Sequence, residues 1–524
     1  MIITNPILPG FYPDPSIVSV GDDYYLVNSS FEYFPGVPIF HSRDLVNWEQ
    51  MGYCLNRPSQ LCLSVEKKDE NIFSTTRGFT PGIFAPTLRY QNGMFYMVTT
   101  NVTLGRHFFV VTDDPAGEWS DPIWVDDLGD IGNSIDPSLF FDHDGKVYFT
   151  CNGTNPKGIY QFEINIQTGQ RISPTRCISH GYCGKDPEGP HLYRIKNFYY
   201  LMTAEGGTEY GHLIAIGRGA SPWGPFESCP HNPILTHRSY ASPIQATGHG
   251  ELVQSKDGFW WMFFLGVRPN GYPPAYHLGR ETFLAPVHWI EDGWPVVGEN
   301  GRASLEFEGP WQIAPQKFLY ENSCDDFIDS TFGLDWNFLR NPSPDDFSLN
   351  VRPGWLQIRC SNISLASISG SPAFIGRRQR HFECQAETLV ELIPKCDGDE
   401  AGLIVMMNGI HHYEIALKHM GGSPYLIVRR QIGSLEVLVR QPLKSYSATL
   451  TVMADRDWYK FSYAEKDESP IEICQSETRY LSTEVAGGFI GVYFGLYALA
   501  EAPSNGVAFF DYFTYKSESV GEMR

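Results

Sequence analysis

The chain is short of positive charge, of long apolar runs and of clustered cysteine, and each shortage closes off a class of protein. Lys and Arg number 39 against 60 Asp and Glu, a formal net charge of -21. Nucleic-acid binding needs a surface of the opposite sign, so no nucleic-acid partner is expected, nor attraction to acidic lipid. No run approaches the roughly 18 apolar residues of a membrane-spanning helix. The first residues, MIITNPILPGFYPDP, have neither the basic n-region nor the apolar h-region of a secretory signal. The 11 cysteines are scattered, with no CxxC pair and no His/Cys cluster at zinc spacing. A cytoplasmic protein with reduced thiols is the expectation. No helix of normal length is convincing anywhere.

What the chain has is one phrase in five copies. They read DPSIVSVGDDYYLVNSS (14–30), APTLRYQNGMFYMVTTN (85–101), DPSLFFDHDGKVYFTCN (136–152), GPHLYRIKNFYYLMTAE (189–205) and GHGELVQSKDGFWWMFFLG (248–266). Each is a short apolar run, a polar turn and a run rich in aromatics, which predicts a strand, a tight turn and a returning strand. The spacing of about 50 to 70 residues leaves room for four short strands per copy. An all-β, five-bladed β-propeller follows. A second phrase, in 41–50, 112–123 and 218–228, carries a Trp in a turn after a strand, and predicts Trp48, Trp119 and Trp223 packed between blades.

At 524 residues the chain exceeds one core. The repeats occupy 1–320. From 321 to 524 the repeat stops, and short period-two stretches such as ECQAETLVELIP and HYEIALKH predict a β-sandwich of jelly-roll or concanavalin-like type. Gly298 to Tyr320 reads as the connection.

The copies agree in their apolar residues and differ where each begins. Asp14 opens the first and Asp136 the third, both as Asp-Pro-Ser; Glu188 directly precedes the fourth; His249 lies in the fifth. In a propeller the innermost strands surround the axis, so these residues converge. Carboxylates in one cleft can hydrolyse a glycoside, one ionised to activate water and another protonated to help the leaving oxygen. His249 could be structural, ligate an axial cation or orient a carboxylate. Arg280 is a counter-charge for Glu188 or a contact for a sugar hydroxyl. Phe31 and Phe84 can wall a sugar face or fill a core.

The phrases NPILPGFYPDPSIV, NSSFEYFPGVPIFHSRDLVNW, GIFAPTLRY, SIDPSLFFDHDGKVYF, PEGPHLYRIKNFYYLMTAEGGT, GHGELV and LGRETF resemble glycoside hydrolase family 43, in its β-xylosidase branch. RPGWLQI, GGFIGVYFGLYA and FFDYFTYK resemble that branch's C-terminal sandwich. The resemblance implies an inverting, exo-acting hydrolase removing terminal β-D-xylose from xylooligosaccharides such as xylobiose. α-L-arabinofuranosidase activity, alone or beside it, is the alternative. Asp14 matches the general base, Glu188 the general acid, and Asp136 the residue that raises the acid's pKa and orients it. Phe31, Phe84, Ala85, His249 and Arg280 match pocket positions, and Tyr493 matches a pocket-closing loop of the sandwich. Phe84 stands where the family usually has Trp, and the insertion Leu61 to Gly78 precedes it; both bear on which sugar fits. No cofactor is required. The resemblance admits a structural Ca²⁺ near the axis, held through water by His249, and a homo-oligomer. A non-catalytic carbohydrate-binding propeller predicts loss of a carboxylate, and all three remain. A WD-type interaction propeller predicts blades near 40 to 45 residues, which these exceed.

Overall fold

The computed structural model describes residues 2–63, 81–309, 314, 316, 317 and 321–517. Most of the insertion 61–78 and part of the connection 298–320 lie outside them. The described residues form two compact units. The first takes in Met1–Leu61, Pro81–Pro269 and Arg280–Gln316; the second is built mainly from Lys317 onward and also includes Asn270–Gly279.

Each repeated phrase is an antiparallel hairpin, and each hairpin starts a four-stranded blade. Blade 1 runs Ser16–Val20, Asp23–Val27, Gly36–Ser42, Glu49–Leu55. Blade 2 runs Thr87–Gln91, Met94–Asn101, Arg106–Thr112, Ile123–Trp124. Blade 3 runs Ser138–Phe141, Val147–Thr154, Lys157–Glu163, Arg176–Ser179. Blade 4 runs Glu188–Ile195, Phe198–Glu205, Leu213–Gly219, Glu227–Ser228, with Leu235–Thr236 added beside its third strand. Blade 5 runs Gln245–Gln254, Trp260–Val267, Glu281–Trp289, Pro295–Val297.

The apolar core lies between blades, because each sheet is buried on both faces. Val98, Phe109, Leu139 and Phe149 form one such layer between blades 2 and 3, and Met202, Ile216, Phe264 and Phe283 another between blades 4 and 5. The predicted Trp residues behave as expected. Trp48 meets Phe263 of blade 5 edge-on at 5.7 Å, and Trp223 meets Tyr148 of blade 3 at 5.4 Å. Trp119 is 2% exposed, and its carbonyl accepts from Gln60 Nε2.

Polar bonds between innermost strands close the ring. Leu88 N donates to Ser16 Oγ, Arg89 Nε to Leu139 O, Gly189 N to Asp136 Oδ2, Leu252 N to Tyr193 Oη, and Ser16 Oγ to Glu251 Oε2. Neighbours one to five are thereby joined and five returns to one. The two ends of the propeller are tied as well: Ile2–Thr4 pairs with Glu306–Glu308, and Asn5 Nδ2 donates to Leu284 O and Ser304 O.

The second unit is a β-sandwich. One sheet holds Cys384–Ile393 beside Ser447–Ala454 and Val507–Ser517; the other holds Glu400–Asn408 beside His411–Met420 and Tyr493–Leu499. Cys384–Ile393 alternates between buried and half-buried residues, as a strand with one core face must. Tyr413 and Phe461 meet edge-on at 6.2 Å between the two sheets. Among the described residues the one α-helix is Thr483–Ala486, and no helix is long and apolar enough to cross a membrane.

Candidate active site

Four of the five repeats start on a bend. Asp14, Asp136 and His249 have φ of 53°, 54° and 43°, in the left-handed region that non-glycine residues avoid. Holding such a residue there costs on the order of 1–3 kcal/mol, and surrounding structure must over-determine it. In blade 4 the bend falls one residue later, at Gly189, with φ 54°. Glycine suits the place, since a Cβ there would press on the His249 ring at 3.0 Å. The bends bring the side chains together: His249 Nδ1 lies 3.8 Å from Asp136 Oδ2 and 4.0 Å from Asp14 Oδ1.

Asp14 is 4% exposed and clamped on both oxygens. Arg280 Nη1 donates to Oδ1 at 2.9 Å, and the Ser29 hydroxyl donates to Oδ2. Arg280 also donates to Thr208 Oγ1 at 3.1 Å. Arg280 was expected as a counter-charge for Glu188 or a contact for a sugar hydroxyl; its charge does oppose the rise at Glu188, and it also forms an ion pair with Asp14. A buried guanidinium pairs with whichever carboxylate meets its fork, and blade 1 supplies that carboxylate across 266 residues of chain.

Glu188 is enclosed but keeps an accessible face. Its carboxyl is pushed up to about 7, first by burial and then by the Asp14 charge; Asp186 adds to this and Arg280 opposes it. Asp136 is also raised, by burial, then by Glu188 and Asp14, with the Gly189 N–H and Arg280 opposing. Burial and the Asp14 charge raise both carboxyls, and the Glu188 charge adds to the rise at Asp136.

Beside Asp14 stands an apolar wall. Phe31 and Phe84 have ring centroids 4.8 Å apart, and the Arg280 guanidinium lies 5.5 Å from the Phe31 ring. A β-bridge between Phe31 and Ile83 sets their register. Gly82 permits it: a Cβ there would fall 2.0 Å from the Phe31 carbonyl oxygen. Ala85 follows, buried. The structure thus brings Asp14, Asp136, Glu188, His249, Arg280, Phe31 and Phe84 into one neighbourhood. Tyr493 belongs to the second unit. It is the first residue of the strand Tyr493–Leu499 rather than part of a loop, and its ring is buried with the Arg378 guanidinium 5.4 Å away.

Sequence reasoning passed over Ser29 and Thr208, although both stand in quoted phrases (NSSFEY and EGGTEY). It also passed over a buried polar cluster among the innermost strands. There Glu251 pairs with Arg89 Nη1 at 2.5 Å and accepts from Ile17 N, and Arg89 Nη2 meets His191 Nδ1 at 3.0 Å. Removing one member would strand a buried charge.

Ca²⁺ takes six to eight oxygen ligands. Among the described residues no group of three or more His, Cys, Asp and Glu could hold a metal.

Residues 3–295 match the family described as Glycosyl hydrolases family 43. The chain belongs to glycoside hydrolase family 43. Residues 324–516 match the Beta xylosidase C-terminal Concanavalin A-like domain. It is 41% identical to the Non-reducing end alpha-L-arabinofuranosidase BoGH43B of Bacteroides ovatus, over 98% of this chain and 94% of that protein. It is 37% identical to a Xylosidase/arabinosidase of Butyrivibrio fibrisolvens, over the whole of both. A solved structure described as Bacteroides ovatus Xyloglucan PUL GH43B superposes with a TM-score of 0.90 at 39% identity, over 99% of this chain and 100% of that one. As a family 43 member, the chain is a glycosidase.

Proposed function

We propose that this family 43 enzyme is an inverting exo-glycosidase that releases terminal α-L-arabinofuranose, with terminal β-D-xylose as its second substrate. The observation that carries the mechanism is the contrast between two carboxyls. Asp14 is clamped by Arg280 and Ser29, whereas Glu188 is pushed up to about 7. That is a base and an acid in one cleft. A water gives a proton to Asp14 as its oxygen bonds to the anomeric carbon. The bond to the leaving oxygen breaks as that oxygen takes the Glu188 proton. One displacement inverts the anomeric configuration. Asp136 accepts from Gly189 N, which keeps the turn after Glu188 in place. Phe31 and Phe84 offer the sugar an apolar face.

Two relatives support the order of substrates. The names of the proteins at 41% and 37% identity both include arabinosidase activity, and "non-reducing end" in the first supports exo action. The second name also supports xyloside hydrolysis. The test is hydrolysis of 4-nitrophenyl α-L-arabinofuranoside, 4-nitrophenyl β-D-xyloside and xylobiose, with the first-formed anomer read by NMR. The arabinofuranoside should show the highest kcat/KM, and the released sugar should be inverted. A faster xyloside reverses the order; a retained anomer or no hydrolysis sinks the proposal.

A pH dependence follows from the same carboxyl. Glu188 works protonated, and its folded value lies near 7. Activity is therefore present below that value and lost as pH rises through it. kcat/KM should fall about tenfold per unit on the alkaline side of 7, read from a pH–rate profile of the wild-type enzyme. A flat profile to pH 9 would contradict the assignment.

A further inference from the structure

The loop that delivers Glu188, residues 181–187, is wrapped around one buried carboxylate outside the cluster described above. Glu205 ends the second strand of blade 4 and is 0% exposed. Its Oε1 accepts from Tyr182 N at 2.7 Å and Thr203 Oγ1 at 3.0 Å; its Oε2 accepts from Cys183 N at 2.9 Å and from Gly184 N. Three successive backbone N–H groups thus converge on one side chain. The glycines of the loop's Gly181-Tyr-Cys-Gly184 run allow the close approach. A Cβ at Gly184 would lie 2.8 Å from Glu205 Cβ, and one at Gly181 would lie 3.1 Å from Glu205 Oε1. Immediately after Glu205, Gly206 N donates to Lys185 O at 2.6 Å, so the loop is held a second time. The far end of the loop is Glu188 itself, which pairs in register with Ala204, the residue before Glu205. Two residues beyond Gly206 lies Thr208, which receives the Arg280 bond.

We propose that Glu205 is a positioning residue for the proton donor. It fixes the 181–187 loop and through it the reach of Glu188 toward the leaving oxygen. This rests on the acid role proposed for Glu188. A carboxylate suits the task because all four of its partners donate. The amide of Glu205→Gln keeps the volume but turns an NH2 toward backbone N–H groups.

The test compares wild type, Glu205→Gln and Gly184→Ala on a 4-nitrophenyl pentoside and on xylobiose, with hydrogen exchange of the 182–184 amides measured in parallel. Gly184→Ala leaves the carboxylate intact and pushes the loop from the other side. The expected result has four parts. kcat on xylobiose falls about tenfold to a hundredfold, as a misplaced reacting group predicts. kcat on the aryl glycoside, which needs little acid help, falls less than about threefold. KM is unchanged, and the 182–184 amides lose protection. Equal losses on both substrates, unchanged kinetics, retained protection in Glu205→Gln, or failure of both variants to fold would each overturn the inference. If wild type hydrolyses neither substrate, the glycosidase reading above falls and takes this one with it. If wild type hydrolyses both while the variants lose them equally, only this inference falls.

Discussion

Asp14→Asn is expected to lower kcat by about 10³–10⁴ on every substrate, activated or not, which is roughly 4–5.5 kcal/mol of transition-state stabilisation. The uniform loss follows from the step affected. Water is a poor nucleophile until its proton is taken, and no leaving group compensates for that. Asparagine keeps the shape but cannot accept the proton, and it deprives Arg280 of its carboxylate at 2.9 Å. Two readouts separate lost chemistry from lost structure. The variant should retain the wild-type circular dichroism spectrum. Azide, which needs no deprotonation, should restore turnover of a 4-nitrophenyl glycoside and give a glycosyl azide of inverted configuration. A variant that keeps a tenth of wild-type activity, or an azide product of retained configuration, would remove Asp14 from the base position.

Glu188→Gln should divide the substrates instead. The xylose that departs from xylobiose leaves as an alkoxide unless it is protonated, so kcat on this substrate should fall by about 10²–10³. A 4-nitrophenolate is a stable anion and leaves unaided, so its glycosides should lose less than about tenfold. The alkaline limb near pH 7 should vanish with the group that causes it. Steady-state kinetics on the two substrates across pH decide the matter. An equal fall on both would mean that Glu188 supports the pocket rather than donates a proton. The two variants together form a signature: one loss is blind to the leaving group and the other is governed by it.

The Asp14–Arg280 pair shows where reading the chain stops short. Asp14 was legible because Asp-Pro-Ser opens two copies of one repeat, and a repeated start in a propeller means a shared place at the axis. Arg280 was legible as a counter-charge for Glu188, but its pairing with Asp14 was not. A sequence carries no record of which carboxylate lies within 3 Å of a guanidinium, and the two residues are 266 positions apart. The Asp136–Glu188 coupling failed to show for a related reason. Proximity of two acids predicts that one is raised, whereas burial in one cleft raises both. Tyr493 was placed on a loop by resemblance, but within the phrase GVYFG it begins a buried strand. Glu205 had no signal at all. A Glu at the end of an aromatic-rich strand looks like a solvated turn residue until the next loop is seen to fold over it.

The sequence by itself determined the local and the periodic. Alternation of apolar residues makes each strand, Gly and Asp turns make each hairpin, and five copies at a regular spacing leave a closed ring as the arrangement that buries every face. The same periodicity selected Asp14, Asp136 and Glu188 and matched them to a glycosidase. Tertiary structure alone decided which groups share a proton, which carboxylate takes the arginine, and which buried acid holds the donor loop. These depend on distances of a few ångströms and on the exclusion of water, and both arise only when blades distant in the chain close around one axis.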